Sequence, residues 1–302
     1  MKVLSLFDGI SCGRLALERA GFHVDTYYAS EIDKYAITIT QKNFPDTIQL
    51  GDVTQITEQV LDQLGSIDIL IGGSPCQDLS NYKYDRGGVT GLDGEKSSLF
   101  YHYVRILEYV KPKYFLLENV ASMKTKWKDL ISEILGVEPI MINSALVCGA
   151  ERKRLYWTNI PHITQPKDKG IVLRDIVLPS EQVPSKYWYN KPFTYNGDDK
   201  KVQCTLHINN HRQAKEVYNL NGKCNTLLCD GSGGNIQKKV YQDNRCRKLM
   251  PIEYERLQTL PDNYTEGVSD GRRYTAIGNG WTVDVIAHIL SFMPDFPTQN
   301  KR

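Results

Sequence analysis

Residues 3–13, VLSLFDGISCG, pass from an apolar run through a glycine-bearing turn into an amphipathic stretch. The run Val3–Phe7 predicts a buried strand, and Leu15, Ala16 and Ala20 share one face of a helix over 13–20. Working outward, the same alternation recurs. Strands are expected at 23–29, 47–50, 67–71 and 114–117, with helices at 33–42, 58–64 and 99–109. Residues 140–143 and 155–159 look extended. Strand and helix alternating at this spacing predict an α/β fold built on a doubly wound, mostly parallel sheet. Ligands of such sheets lie beyond the carboxyl ends of the strands. That is where the polar and glycine-rich residues of this chain cluster.

From about Ile171 the texture changes. Pro179, Pro184 and Pro192, the aromatic group Tyr187, Trp188 and Tyr189, and a Gly/Asn/Asp-rich stretch at 221–235 replace the regular alternation. Two segments rhyme, KVQCTLH at 201–207 and GKCNTLL at 222–228, each read as Thr-Leu entering a short strand. These features predict a smaller, mainly β domain over 173–262, with 1–172 plus 263–302 forming the larger domain. The apolar stretch 281–292 is read as a helix returning to that larger domain.

Length and composition bound the function. At 302 residues, 41% hydrophobic and 24% charged, the chain can bury a sizeable core and shows no bias towards disorder. No run of 18 apolar residues is present, so a membrane span is not expected, and Asp8 and Gly9 come too early for a signal peptide. Seven cysteines without a C-x-x-C pair indicate reduced thiols and a cytoplasmic setting. Net charge is only +2, but residues 151–250 hold 18 Lys and Arg against 9 Asp and Glu. That segment carries +9 and the remainder −7, an asymmetry suited to a phosphate backbone.

The chemistry-bearing residues follow strand ends in order. The turn Phe7 to Gly13 can bring backbone N–H groups close to a ligand at a helix start. Glu31 stands 22 residues after Gly9, where a carboxylate can accept from both hydroxyls of a ribose. Asp52, past the third strand, is placed to accept from an adenine amino group. Either acid alone suits a helix cap, yet in series with the turn they fit an adenosyl cofactor. Cys76, in GGSPCQ at 72–77, follows the strand at 67–71 on a Pro-fixed turn and is the candidate nucleophile. The other six cysteines are read as inert. Glu118, in Glu118-Asn119-Val120, could act as an acid. Arg152 and Arg154 precede a strand and, at period two, would present a fork of guanidiniums on one face. The long polar loop 81–96 suggests a lid. Cys204, His207 and His211 lack a fourth ligand, and no metal is expected.

The succession of Phe7–Gly9, Glu31, Asp52, Pro75-Cys76-Gln77, Glu118-Asn119-Val120, Arg152-x-Arg154, Arg247, Glu255 to Gln258 and Gly278-Asn279 resembles the ordered motifs of cytosine-5 DNA methyltransferases. Nearly the whole chain is covered, with about 160–245 unmatched. The motifs at 7–9 and 73–80 resemble most the animal de novo branch, whereas the compact length resembles a bacterial or phage enzyme of a restriction-modification system. The resemblance implies the S-adenosylmethionine-dependent methyltransferase fold with a β-rich target-recognition domain, double-stranded DNA as partner, and S-adenosyl-L-methionine converted to S-adenosyl-L-homocysteine. It implies an everted cytosine, attack by Cys76 on carbon 6, contact or protonation at ring nitrogen 3 by Glu118, and a hold on the base or nearby backbone by Arg154, with Arg152 beside it. Pro75 would orient the nucleophile. Phe7 and Ile32 would flank the adenine, and Asn279 and Trp281 would close the cofactor pocket. Asp8, Gly9, Ile10, Ser11, Val53 and Leu99 complete the expected cofactor contacts. Thr226-Leu227 matches the short Thr-Leu signature of the recognition domain, for which Asn209, Asn210, Arg212, Asn235, Gln237 and Lys238 are candidate base readers. Ala150 and Gly280 depart from the Gln and Ser common in the family.

Competing readings are a tRNA cytosine methyltransferase, whose Cys-Phe-Thr signature is absent, and a catalytically dead DNA- or partner-binding homologue, opposed by Cys76, Glu118 and Arg154. A nicotinamide dehydrogenase fails on glycine spacing. Oligomeric state is left open, a monomer being allowed.

Overall fold

A computed structural model describes residues 1–75, 99–210, 212–229 and 236–294. Cys76, Gln77, the loop 81–96, His211 and Asn235 lie outside the described residues. The chain divides into two compact units.

The first unit comprises residues 1–142, 153–165 and 285–302. It is built on β1 (Lys2–Leu6), α1 (Cys12–Arg19), β2 (Thr26–Ser30), α2 (Lys34–Asn43), β3 (Ile48–Gln49), α3 (Glu58–Leu64), β4 (Ile69–Gly72), α4 (Leu99–Val110), β5 (Tyr114–Val120), α5 (Thr125–Leu135), β6 (Ile140–Asn143) and β7 (Lys153–Thr158). The strand order is β3-β2-β1-β4-β5-β7-β6. Strands β1 to β5 pair in parallel, and β7 runs antiparallel to β5. Successive crossovers leave β1 in opposite directions along the sheet, so the order reverses between β1 and β4, a topological switch point. Period two sends Leu4, Leu6, Leu70, Leu117 and Trp157 to one face, where they pack with Leu61, Phe100, Tyr103 and Ile131 of the helices. Close approach is built in at Gly72, where a Cβ would meet the Leu6 carbonyl and the Tyr103 ring at 3.0 Å.

Two expectations shift. Strand β5 runs three residues further than 114–117, because β7 pairs with Glu118, Asn119 and Val120. Helix α5 is not marked in the sequence, since its first turn carries no acid to signal a helix start.

The second unit comprises residues 143–152 and 166–284. Its five-stranded sheet, in the order β12-β11-β10-β9-β8, uses β8 (Phe193–Tyr195), β9 (Val202–Leu206), β10 (Glu216–Tyr218), β11 (Lys239–Gln242) and β12 (Arg245–Lys248), with α6 (Arg212–Lys215) before β10. Cys204, Leu206, Val217 and Cys246 form its core, flanked by Tyr189, Phe193 and Tyr241. Helices α7 (Pro251–Leu257) and α8 (Asp270–Asn279) follow, and α9 (Val283–Leu290) spans the boundary between units. The unit is therefore wider than 173–262. Residues 149–151 are tied to Cys224 by backbone bonds of 3.0 and 2.8 Å, and α8 is anchored to the same region. A buried pair, Arg247 with Glu253, is bidentate at 2.6 and 2.8 Å, and Glu253 also accepts from the backbone of Leu178 and Met250.

The two rhyming segments part ways. Thr205 and Leu206 lie in β9, but Thr226 and Leu227 lie in irregular chain. Thr226 donates to the Glu151 carbonyl at 2.8 Å and Leu227 is buried, so the second segment serves as an anchor.

Candidate active site

The turn after β1 is held by its own strained backbone. Phe7, Gly9 and Ser11 alternate in the left-handed region, with φ of 57°, 61° and 57°, a conformation that non-glycine residues adopt at a cost. Side chains secure it. Ser11 Oγ donates to Asp8 Oδ2 at 2.5 Å, and Tyr27 Oη donates to Asp8 Oδ1 at 2.6 Å. Burial pushes the Asp8 carboxyl up from its ordinary value, against the pull of those hydrogen bonds. Ser11, spent on Asp8, gives α1 no side-chain cap. A Cβ on Gly9 would meet nothing within 4 Å, so space lies over this backbone.

Glu31 follows β2 and closes onto the turn. Its Oε2 accepts from Gly9 N at 2.7 Å, and its Oε1 accepts from the backbone N–H groups of Ile32 and Asp33 at 2.8 Å each. A carboxylate oxygen can accept two bonds, so Oε2 retains capacity for a ribose hydroxyl. Ile32 is 75% exposed, a large apolar side chain open to a flat partner. Ser30 Oγ donates to the Gly51 carbonyl at 2.7 Å, which sets Asp52 beside this corner. Asp52 Oδ1 caps the short turn 53–55 through Thr54 N at 2.9 Å, and Val53 is buried beneath it. Ile10 is buried, while Phe7 and Leu99 pack on the apolar core of this unit. Space over Gly9, spare acceptor capacity on Glu31 and an open Ile32 fit an adenosyl group.

Beside this corner lies the end of β4. Register pairs Gly72 with Leu117, which sets Gly73 to Pro75 next to Glu118 and Asn119. Asn119 Nδ2 donates to the Ser74 carbonyl at 3.2 Å and to its Oγ at 3.1 Å, and Asn119 Oδ1 accepts from Val120 N at 2.8 Å. The Ser74-Pro75 turn, from which Cys76 continues, is thus fastened to the neighbouring strand. Glu118 is buried, and its Oε1 lies 2.8 Å from Arg154 Nε. Sequence reasoning gives Asn119 no role and passes over Ser74; an Asn beside a strand-end acid is the available signal.

Arg152 and Arg154 do not form a fork. Arg152 is buried in the second unit, where its guanidinium donates to the carbonyls of Gly278 at 3.2 Å, Gly280 at 3.1 Å and Leu227 at 3.5 Å. A cation at the carboxyl end of α8 also suits the helix dipole. Arg154, the second residue of the antiparallel β7, turns to Glu118. In α8, Gly278 abuts the backbone of Leu228 and Cys229, where a Cβ would stand 2.8 Å away. Asn279 ends α8 exposed, and Trp281 follows half-buried. Gln258 ties this end together, donating to the carbonyls of Ile277 and Gly280 at 3.0 Å.

Among the proposed base readers, Asn209 and Arg212 are exposed, but Gln237 and Lys238 are buried and unsuited to base edges. Five of the six described cysteines are buried; burial pushes Cys204 up to about 11 and Cys224 and Cys246 up to about 12. Cys229 is exposed, which departs from the expectation of inert burial. His207 Nε2 lies 2.8 Å from Thr194 Oγ1, and Cys204 belongs to the apolar core of the small sheet.

Solved methyltransferases share this architecture. EhMeth of Entamoeba histolytica superposes with a TM-score of 0.73 at 17% identity, covering 97% of each chain. Dnmt2 of S. pombe gives 0.73 at 18% identity, covering 97% of this chain and 98% of that one. The fold is that of the S-adenosylmethionine-dependent methyltransferases. Sequence narrows the class: a profile described as C-5 cytosine-specific DNA methylase matches residues 1–136 and 153–294. The Type II methyltransferase M.NgoPII of Neisseria gonorrhoeae is 39% identical over 349 residues, covering 96% of this chain and 94% of that protein. M.HhaI of Haemophilus parahaemolyticus is 27% identical over 314 residues, covering 96% and 93%. The chain belongs to the C-5 cytosine-specific DNA methylase family. It is a DNA cytosine-5 methyltransferase with S-adenosyl-L-methionine as methyl donor.

Proposed function

We propose that the chain methylates carbon 5 of a cytosine everted from duplex DNA, through a covalent bond to Cys76. The observation that carries this is the rim where Glu118 pairs with Arg154 at 2.8 Å while Asn119 fastens the turn leading to Cys76. The Cys76 thiolate adds to carbon 6 of the ring, and the displaced electron pair moves towards carbon 5 as Glu118 stabilises or protonates nitrogen 3. Arg154 holds Glu118 in place and faces the base. When bound, S-adenosyl-L-methionine supplies a sulfonium methyl for carbon 5 to attack. Loss of the carbon 5 proton then breaks the carbon–sulfur bond and frees Cys76. Phe7, Ile32, Glu31, Asp52 and the 8–11 turn would hold the cofactor, with Leu99, Val53, Asn279 and Trp281 as further contacts. Arg152 would act by positioning the 149–154 segment. The basic second unit would read the target sequence.

No helix among the described residues is long and apolar enough to cross a membrane, and the cysteine usage suits a reducing cytoplasm. The test is a denaturation-resistant adduct with duplex DNA containing 5-fluorocytosine, in which fluorine cannot leave as a proton. The native protein should form it and Cys76→Ala should not, while still binding cofactor. Near-native methyl transfer by Cys76→Ala would remove the assignment, and transfer to tRNA but not DNA would favour the RNA reading.

A further inference from the structure

Tyr27 is fully buried in β2, yet its hydroxyl is not idle. Period two separates it from its neighbour. Tyr28 packs with the core around Leu4 and Leu6, whereas Tyr27 Oη donates to Asp8 Oδ1 at 2.6 Å. The ring has little room to move. The Arg14 guanidinium lies 5.6 Å from its centroid, and that guanidinium is fixed in turn by Asp46 at 2.7 Å and Thr47 Oγ1 at 3.1 Å.

Asp8 depends on such donors. Burial, and then the nearby Glu31 carboxylate, work against a charge on Asp8, while hydrogen bonds from Ser11, Ser5 and Tyr27 work for it. The backbone from Phe7 to Ser11 alternates through left-handed conformations, and such strain persists only where surrounding groups over-determine it. Here they come from two neighbouring elements. The Ser30 carbonyl accepts from Asp8 N at 3.1 Å, Glu31 accepts from Gly9 N at 2.7 Å, and Thr40 Oγ1 of α2 donates to the Gly9 carbonyl at 3.4 Å. Tyr27 adds the bond that ties the Asp8 side chain to β2. We infer that Tyr27 is a positioning residue for the cofactor: through Asp8, its hydroxyl holds the 7–11 turn in the shape that binds S-adenosyl-L-methionine. This rests on the proposed placement of the cofactor over that turn. A tyrosine in a buried strand reads as core, so the sequence gives no hint of the role.

The test uses the full chain and Tyr27→Phe, which keeps the ring and removes only the hydroxyl. Affinity for S-adenosylhomocysteine should fall about tenfold, the loss expected of one hydrogen bond to a charged group. KM for S-adenosyl-L-methionine should rise to match, with a much smaller change in kcat. In an Asp8→Ala background the same substitution should weaken binding no further, because Tyr27 acts through Asp8. In Asp8→Asn, where the bond from Tyr27 is no longer charge-assisted, its effect should be smaller than in the native background. A lower melting temperature with native cofactor affinity would overturn the inference and leave Tyr27 a core residue. So would an equal loss with and without Asp8. Glu31→Ala separates the two claims. Cofactor affinity unchanged in that variant would overturn the placement of the cofactor, whereas a loss there with none in Tyr27→Phe overturns the role of Tyr27 alone.

Discussion

The side-chain amide of Asn119 reaches both oxygens of Ser74, 3.2 Å to the carbonyl and 3.1 Å to the hydroxyl, from the neighbouring strand. Two bonds between buried groups set the direction in which the chain leaves β4, two residues before Cys76. Asn119→Ala should therefore lower kcat by about 10- to 100-fold through misplacement of the nucleophile, with cofactor affinity near native. Steady-state kinetics alongside cofactor titration checks this; a native kcat would show that the turn holds its course without the amide.

Arg152 and Arg154 should fail in different ways. Arg152→Ala removes the donor shared by the carbonyls of Gly278, Gly280 and Leu227 and should cost about 2–4 kcal/mol of stability. Arg154→Ala leaves the second unit intact and should lower turnover at least about 100-fold, with little change in melting temperature. Thermal melts and kcat measured on both variants separate the roles.

Two glycines of α8 should respond with opposite sign. Gly278→Ala places a methyl 2.8 Å from backbone atoms of Leu228 and Cys229, which cannot yield as a side chain can, and should destabilise by about 1–3 kcal/mol. Gly271 faces open space, so Gly271→Ala should stabilise by up to about 1 kcal/mol. Chemical denaturation of both proteins decides the matter.

Lys239 is fully buried in the small sheet, and burial pulls its ammonium down to about 7. Between pH 7 and the ordinary lysine range the unfolded chain holds a proton here that the folded chain lacks. Stability should therefore rise with pH across that window, by at most about 1.4 kcal/mol per pH unit. Below pH 7 both states are protonated and the full penalty applies. Lys239→Met should flatten the rise and stabilise the protein most at acidic pH. Melting curves from pH 5 to 10 would show it; parallel curves for the two proteins would refute it.

Glu31→Ala removes the acceptor that closes the β1 turn onto β2. Cofactor affinity should fall about 10- to 100-fold, with DNA affinity changing far less. Equal losses in two separate binding titrations would count against the ribose role.

Much of the first unit was legible because β1, β4 and β5 are buried on both faces and its helices carry one apolar stripe. Periodicity therefore marks β1 to β5, and the acids Glu31, Asp52 and Glu118 stand just where each strand stops or nearly stops. The reading faltered where local pattern and tertiary use diverge. Arg152 and Arg154 sit at period two, yet one is drawn to the end of α8 by carbonyls 126 and 128 residues away. Gln237 and Lys238 look like base readers by residue type, but the strands around them bury both. Thr205-Leu206 and Thr226-Leu227 rhyme in sequence, yet only the first pair has a strand partner to extend its backbone bonds.

By itself the sequence determined the alternating α/β architecture, the order of polar residues along the strand ends and the family to which the chain belongs, because these depend on residue type and spacing along one dimension. Tertiary structure alone decided that Asn119 fastens the Ser74-Pro75 turn, and that Arg154 pairs with Glu118 while Arg152 is drawn to the end of α8. Those assignments depend on which strands lie side by side and how far β7 extends along β5. Strand register is set by packing over long sequence separations, which no local pattern encodes.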